Sequence, residues 1–555
     1  MKTILYLLLI LTIVAVLFSG CVEDSDSDEQ RTVEIIASGA TIRNTNGLMF
    51  DSNDQLYVCS VFGGEILALD TETGEITNKL GIESGVKCPD DLIFGPDGSL
   101  YYTNLIVGEV GRLSPDGEVS SQFVAPGVNP ITFSDDGRLF VALDFMGDGL
   151  YELDPTFSSE PRLIASDLGW LNGMDWGPDG YLYGPIWTTG EIVRIDVDSG
   201  DITTVSEGFA IPAAVKFDSS GHLYVADYKE GEISRIYLNN STTEVIATGL
   251  ESIDNIAFDS SDRLFISAND GIFEILTDGT KREVLKGGMI GPGGIAVYSD
   301  NGQDTVFIAD LLSLRELDGQ TGEERYVERH IMGDIINYNG TTARGITGPM
   351  TVSADEDKLI ISSWMYDIVQ VWDPVEHKLI EEHIGFPYIT NAIAVQEDLV
   401  VAELGLEAGE ARLVKVTETE RTTLATGLAV PVGIAATEDE LWISDWFTGM
   451  VLQIVKDGET LTQPMPVATN LSFPEGLAVD VDGNLLVVET GTGNLSKIDL
   501  QTGEIRNIAE NLEVGAQAIP GVTPHYIFNG VAVSPSGTIY VTGDVSIVLY
   551  RISTN

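Results

Sequence analysis

From Asn46 to the C-terminus the chain repeats one pattern of apolar and polar positions. A short alternating apolar run meets an Asp/Gly turn, a second apolar run follows, and a third run opens on Gly-Glu-Ile or a close variant. "NGLMFDSNDQLYVCSVFGGEILALD" from Asn46, "DDLIFGPDGSLYYTNLIVGEVGRLS" from Asp90 and "NGMDWGPDGYLYGPIWTTGEIVRID" from Asn172 are three copies. "AAVKFDSSGHLYVADYKEGEISRI" from Ala213 and "EGLAVDVDGNLLVVETGTGNLSKID" from Glu475 are two more. Alternation with a period of two predicts half-buried strands. Asp-Gly between two such runs predicts a hairpin, because Gly takes φ > 0 without steric cost. A fourth, polar run ("EITNKL", "DITTVS", "EIRNIA") predicts an outer edge strand.

Copies begin at Asn46, Asp90, Asn129, Asn172, Ala213, Asp254, Gly293, Gly348, Asn391, Val432, Glu475 and Asn529. Several short strands recurring every ~40–45 residues predict an all-β β-propeller. Single rings usually hold about four to eight blades, so twelve copies predict two tandem six-bladed propellers, 32–280 and 281–555. One twelve-bladed ring satisfies the same count. "VEIIASG", before the first copy, is expected to complete the sixth blade. "KREVLKGG", from Lys281, is then left to complete the twelfth, so that each ring is closed by a strand from its own N-terminus.

The first 21 residues change the picture of location. Lys2, an apolar run from Ile4 to Phe18 and the small pair Ser19-Gly20 form a secretory signal. Cys21 directly after that pair resembles the lipid-bearing cysteine of a lipoprotein, although Phe18 stands where such signals usually carry Leu. An uncleaved spanning helix is the alternative, since the run approaches the ~20 residues it needs. Either way the remainder lies outside the cytoplasm, attached to the membrane, behind an acidic tether over 22–31.

Net charge is -57, from 86 acidic and 29 basic residues. Nucleic acid is thereby an unsuitable partner, because phosphate binding rests on Lys and Arg. Such a surface suits a salt-rich prokaryotic habitat, haloarchaeal or marine, and equally suits solubility alone. Cys59 and Cys88 fall on one rim of neighbouring blades, and a disulfide between them is expected outside the cytoplasm. The five histidines show no zinc spacing, and His222 reads as a turn residue. Sequons at Asn239, Asn240, Asn339, Asn470 and Asn494 mark sites for surface glycans.

In a propeller the first residue of each inner strand lines the channel mouth. In the first ring these are Asn46, Asp90, Asn129, Asn172, Ala213 and Asp254, five of them oxygen-bearing. Hard cations such as Ca²⁺ take six to eight oxygens, so Asn46, Asp90, Asn129, Asn172 and Asp254 are candidate metal ligands. Asn391, Glu475 and Asn529 form a sparser set in the second ring. Asn and Asp before Gly also serve plain turns. Ends of the second strands carry candidate general bases: Asp144, Asp227, Glu403, Asp445 and Glu489. Trp364, Trp446 and Tyr228 beside them are candidate ligand walls. The longer connections 324–347 and 511–528 add His330, Arg344 and His525 to the candidate ligand rim.

The repeats resemble those of the gluconolactonase/senescence-marker-protein family, of strictosidine-synthase-like and paraoxonase propellers, and of the broader NHL-repeat group. The likeness is carried by "NGMDWGPDGYLY" and "DNIAFDSSDRLFIS". It implies six-bladed propellers, a divalent metal such as Ca²⁺ at the channel, and hydrolysis of lactones or esters. Asn172 would match a metal-binding Asn, Asp254 the metal-binding Asp, and Asp90 the family's Glu. In the second ring Glu475, in "FPEGLAVD", would match that Glu and Asn529 an Asn. Ala213 departs from the pattern, which has another Asn there.

Two functions follow as expectations. The first is a surface-anchored propeller that binds a small molecule or partner at its channel mouths, with a divalent metal as an optional cofactor. The second is a Ca²⁺-dependent lactonase or esterase. Lyase chemistry of the streptogramin-lyase kind is weaker, for want of a catalytic His.

Overall fold

A computed structural model describes residues 31–554 apart from 270, 331–344, 418 and 519–527. Cys21, Arg344 and His525 therefore lie outside the described residues. The described chain is all-β, with one short 3₁₀ turn at Ile82–Ser84. Its strands form twelve four-stranded antiparallel sheets, numbered here in chain order. Within eleven of them strands run inner to outer in sequence order, and polarity follows. In sheet 1, Leu56–Ser60 is almost wholly buried while Ile76–Leu80 is largely exposed.

Inner strands pack in two closed circuits. Thr45–Phe50 of sheet 1 packs on Pro89–Phe94 of sheet 2, and the series continues to Ile253–Phe258 of sheet 6, which packs back on sheet 1. Pro292–Asp300 of sheet 7 begins a second series, which returns to it from Val531–Val533 of sheet 12. Close approach at the axis demands small residues. A Cβ on Gly47 would lie 2.6 Å from Asp91 Cα, and one on Gly476 2.6 Å from the Asn529 carbonyl oxygen. The Asp-Gly hairpins form as expected, with Gly98 at φ 78°.

Closure differs from the sequence expectation. Arg31–Ser38 pairs antiparallel with Val548–Thr554 and is the outer strand of sheet 12, not of the sixth. Lys281–Leu285 pairs with Gly271–Ile275 and completes sheet 6 with its own strand. The outer strands are exposed and nearly interchangeable in pattern, so only pairing partners tell them apart. Residue 31 thus meets the last strand, and the chain crosses between circuits at 39–44 and again at 286–291.

The expected Cys59–Cys88 disulfide is not formed; both are free, buried thiols. Cys59 packs among Ile66, Val86 and Tyr102 as a small apolar side chain. Cys88 Sγ accepts the Ile106 N–H at 3.4 Å. Burial pushes both thiols up, which keeps them protonated.

The two circuits adjoin through the ends where inner strands begin. Ala40, Ile290, Leu311 and Met350 form one apolar cluster there, with Phe62 and Trp364 against it. Arg43 Nε donates to the Ile290 carbonyl at 2.8 Å. Tyr228 Oη donates to the His330 carbonyl at 3.0 Å, and Arg329 pairs with Glu251 at 2.6 Å.

Candidate functional site

Strand register decides which side chains reach each mouth. Pro89 pairs with Asn104, Pro212 with Asp227 and Ile253 with Ala268, followed in each case by a register shift. That bulge turns the next residue of the inner strand inward. Asp90, Ala213 and Asp254 occupy this position, and Asn46, Asn129 and Asn172 hold it in sheets 1, 3 and 4.

In the second circuit two positions shift. Ile389 pairs with Glu403, which puts Thr390 at the mouth and Asn391 one residue deeper. Asn391 lines the channel and donates to the Val432 carbonyl at 3.0 Å. Thr351 sits beside Gly294, so Met350, not Gly348, matches Gly293. Sequence spacing misplaced both because the mouth residues of the copies share no fixed residue pair, so only the strand register locates the bulge.

The first mouth is a buried polar ring. Asn46 Nδ2 donates to Asp90 Oδ1 at 3.2 Å, and Asn129 Nδ2 donates to Asp144 Oδ2 at 2.7 Å. Asn172 Oδ1 accepts the Gly173 N–H at 2.8 Å. Asp90 Oδ2 and Asp144 Oδ1 are buried and have no hydrogen-bond partner among the described residues. Burial, then the charges of Asp144 and Asp254, hold Asp90 well above the ordinary carboxylate range. Burial and Asp254 do the same to Asp144, against the Asn129 hydrogen bond. Burial, with Asp91, pushes Asp254 up to about 7.

A second polar layer lies beneath. Asp91 accepts the N–H groups of Leu92 at 2.8 Å and Ile131 at 3.1 Å, tying adjacent inner strands. Lys216 Nζ lies 3.7 Å from Asp175 Oδ1. Burial lifts Asp91 to about 6, and Lys216 opposes the rise.

Most of the expected general bases hold loops instead. Asp227 accepts the N–H of Ala210 at 2.7 Å and of Ile211 at 3.1 Å. Asp445 accepts from Ala429 at 2.7 Å, and Glu489 from Ser472 at 2.8 Å. Asp310, Asn104 and Asp544 clamp their own loops the same way. These side chains are committed to holding backbone N–H groups in place. Glu403 pairs with Arg412 through Oε2, and its buried Oε1 has no partner among the described residues. Of the five candidates, Asp144 and Glu403 each keep a buried oxygen without a partner among the described residues, and Asp144 is the one in the first mouth.

The second mouth is satisfied internally. Glu475 Oε2 accepts the Asn529 N–H at 2.7 Å, and Thr490 Oγ1 donates to the Phe473 carbonyl at 2.9 Å beside it. Asn529 Oδ1 and Asp544 Oδ1 both take the Gly515 N–H, at 3.0 and 2.7 Å. Below lies a channel cavity of about 80 Å³ lined mostly by Gly, Ile, Val, Thr and Ser, with Asn391 and Asn529 among them, room for a few waters. Trp446 lies 4.6 Å from Phe473 at this rim, their rings tilted by 31°. His330 and Trp364 lie at the junction of the circuits, and His222 pairs with Asp218 in its turn as expected.

Of the aromatic wall on the first mouth, sequence reasoning named Tyr228 and missed Phe145, Trp170 and Trp187. Trp187 and Tyr228 bury Ala213, with Phe145 and Trp170 half-buried against them. Trp187 follows its second strand just as Tyr228, Trp364 and Trp446 follow theirs, a signal that was present in "GPIWTT".

No family model matches the chain. It is similar to lactonase drp35 of Staphylococcus haemolyticus (strain JCSC1435), 25% identical over 185 residues, covering 30% of this chain and 55% of that protein. The chain thus spans about half the length of this curated relative. Among solved structures, a streptogramin B lyase aligns at 18% identity with a TM-score of 0.38, over 51% of this chain and 96% of its own. A gluconolactonase of Xanthomonas campestris aligns at 15% with a TM-score of 0.35, over 43% and 86%. PorZ, a surface component of the type-IX secretion system of Porphyromonas gingivalis, aligns at 12% with a TM-score of 0.36, over 93% and 86%.

Among the described residues no three Asp, Glu, His or Cys side chains converge on one metal position. A cation at the first mouth would need amide as well as carboxylate oxygens. The orphaned oxygens of Asp90 and Asp144, beside Asn46 and Asn129, fit a hard divalent ion of that kind.

Proposed function

We propose that this chain is a pair of tandem six-bladed propellers, held outside the cytoplasm by its N-terminal segment, and that the first is a divalent-cation-dependent hydrolase of lactones or esters. The observation that carries this reading is the pair of buried, unpartnered carboxylate oxygens on Asp90 and Asp144. Leaving such groups unpaired costs about 1–3 kcal/mol each or more when charged, a cost that a bound cation removes. Similarity to a lactonase supports the class of reaction.

Asp90, Asp144, Asn46 and Asn129 would hold the ion, with Asn172 as a further amide. When bound, it supplies a Lewis acid that polarises a carbonyl. Asp254 is the one acid of the three that solvent reaches. Its carboxylate takes the proton of the attacking water, in the role of general base. Lys216 and Asp175 beneath balance charge in the channel. Relative to the sequence expectation, Asp144 and Asp254 exchange roles.

The second propeller is assigned to binding without turnover, because Glu475, Asn529 and Asp544 are occupied by internal hydrogen bonds.

The test is thermal unfolding and lactone hydrolysis of the purified protein with Ca²⁺ or with chelator. Ca²⁺ should raise Tm and switch on hydrolysis. Asp144→Asn should raise the chelated Tm, by relieving like charge, and abolish both responses. An identical Ca²⁺ response in that variant would sink the assignment.

A further inference from the structure

Three features describe the wall of the first mouth. Trp187 is 4% exposed, yet its indole N–H has no acceptor among the described residues. It packs on Ala213, the one mouth position without an oxygen. Phe145 and Trp170, which flank it at 5.1 Å and, through Phe145, at 5.4 Å, both hold positive φ, 51° and 66°. Positive φ recurs two residues before other mouth positions, at Asn44, Ser252, Tyr388 and Phe473, so at Trp170 it is the loop geometry of the repeat, here occupied by an aromatic side chain.

These aromatic groups stand next to the polar ring. Phe145 directly follows Asp144, and Trp170 precedes Asn172 by two residues. Tyr228 closes the far side, tilted 37° to Trp187 with centroids 6.2 Å apart. The mouth therefore offers two kinds of unmet demand: carboxylate oxygens that want a cation and a buried N–H that wants an oxygen. It also offers an apolar surface, and Met146, next to Phe145 in the chain, is 58% exposed.

We propose that Trp187 Nε1–H is a substrate-binding donor, and that Phe145, Trp170, Trp187 and Tyr228 select lactones or esters with a hydrocarbon acyl part over polyhydroxylated sugar lactones. This rests on the hydrolase reading of the same mouth. Ala213 in place of an amide is then a specificity feature. Its methyl lets Trp187 and Tyr228 close on the mouth, where a polar side chain would meet an apolar face.

The test measures binding, so that it stands apart from turnover. Two non-hydrolysable probes, δ-decalactam and D-glucono-δ-lactam, are titrated calorimetrically into the full-length, Ca²⁺-loaded protein. The alkyl lactam should bind at least about tenfold tighter, a difference of ~1.4 kcal/mol. Trp187→Phe keeps the ring and deletes the donor, and should weaken the alkyl lactam about tenfold, the usual worth of one buried hydrogen bond. Trp170→Leu leaves the donor and should erode only the preference between probes. Equal binding of both lactams, unchanged binding in Trp187→Phe, or binding of neither overturns the proposal. Lactam binding that behaves as expected without lactone turnover overturns the hydrolase reading alone.

Discussion

Tyr228 Oη donates to the carbonyl of His330 at 3.0 Å while accepting from Asn269 Nδ2 at 3.2 Å. Tyr228 belongs to the first circuit and His330 to the second, so one phenol belongs to both the acidic mouth and the junction. The His330 ring in turn lies 5.2 Å from that of Tyr366. Tyr228→Phe removes both hydrogen bonds and keeps the ring. It should cost about 1–2 kcal/mol, mostly the orphaned Asn269 amide and His330 carbonyl, read as a lower urea midpoint at unchanged slope. An unchanged midpoint would show that the junction does not depend on this contact.

Arg315 and Asp310 form a buried ion pair, Nε to Oδ2 at 2.6 Å, with 2% and 0% of the side chains exposed. Arg315 also reaches Glu324 and the Gly288 carbonyl, both at 2.6 Å. Burial raises the Asp310 pKa although Arg315 opposes it. Arg315→Met strands the carboxylate and should destabilise by about 3–5 kcal/mol. Denaturant titration of Arg315→Met beside Asp310→Asn/Arg315→Met checks this, since the double variant should recover part of the loss.

Glu475 gives a pH signature of definite sign. Burial, then Asp544, pushes it up to about 8 from 4.5. Below pH ~4.5 it is protonated folded and unfolded, and its contribution is fully present. As pH rises toward 8 the unfolded chain sheds the proton and the folded one keeps it, so stability falls, on the order of a few kcal/mol. Glu475→Gln should match the native chain near pH 4.5 and exceed its Tm by a growing margin up to pH 8–9. A margin that stays flat with pH would contradict the assignment.

Deleting Arg31–Ser38 bares the edge of Val548–Thr554. Hydrogen exchange should then speed up across Ile539–Gly543 and Val548–Thr554, the strands of sheet 12. Sheet 6 should keep its protection, because Lys281–Leu285 completes it. Loss of protection in sheet 6 instead would restore the closure read from sequence.

The sequence by itself determined strand type, hairpin chemistry and the twelvefold repeat, because these are local. Alternation sets which face is buried, and Asp-Gly sets each turn. It also placed Asn46, Asp90, Asn129, Asn172, Ala213 and Asp254 together, since a fixed repeat puts matching residues on one axis. Tertiary structure alone decided the rest. Exposed outer strands carry little pattern, so only hydrogen bonding could assign Arg31–Ser38 to sheet 12. One residue of register separates Thr390 at a mouth from Asn391 below it. Whether a carboxylate serves chemistry or clamps a loop depends on which N–H groups face it. Asp227 and Asp445 have theirs; Asp144, alike in sequence, keeps an oxygen without a partner among the described residues.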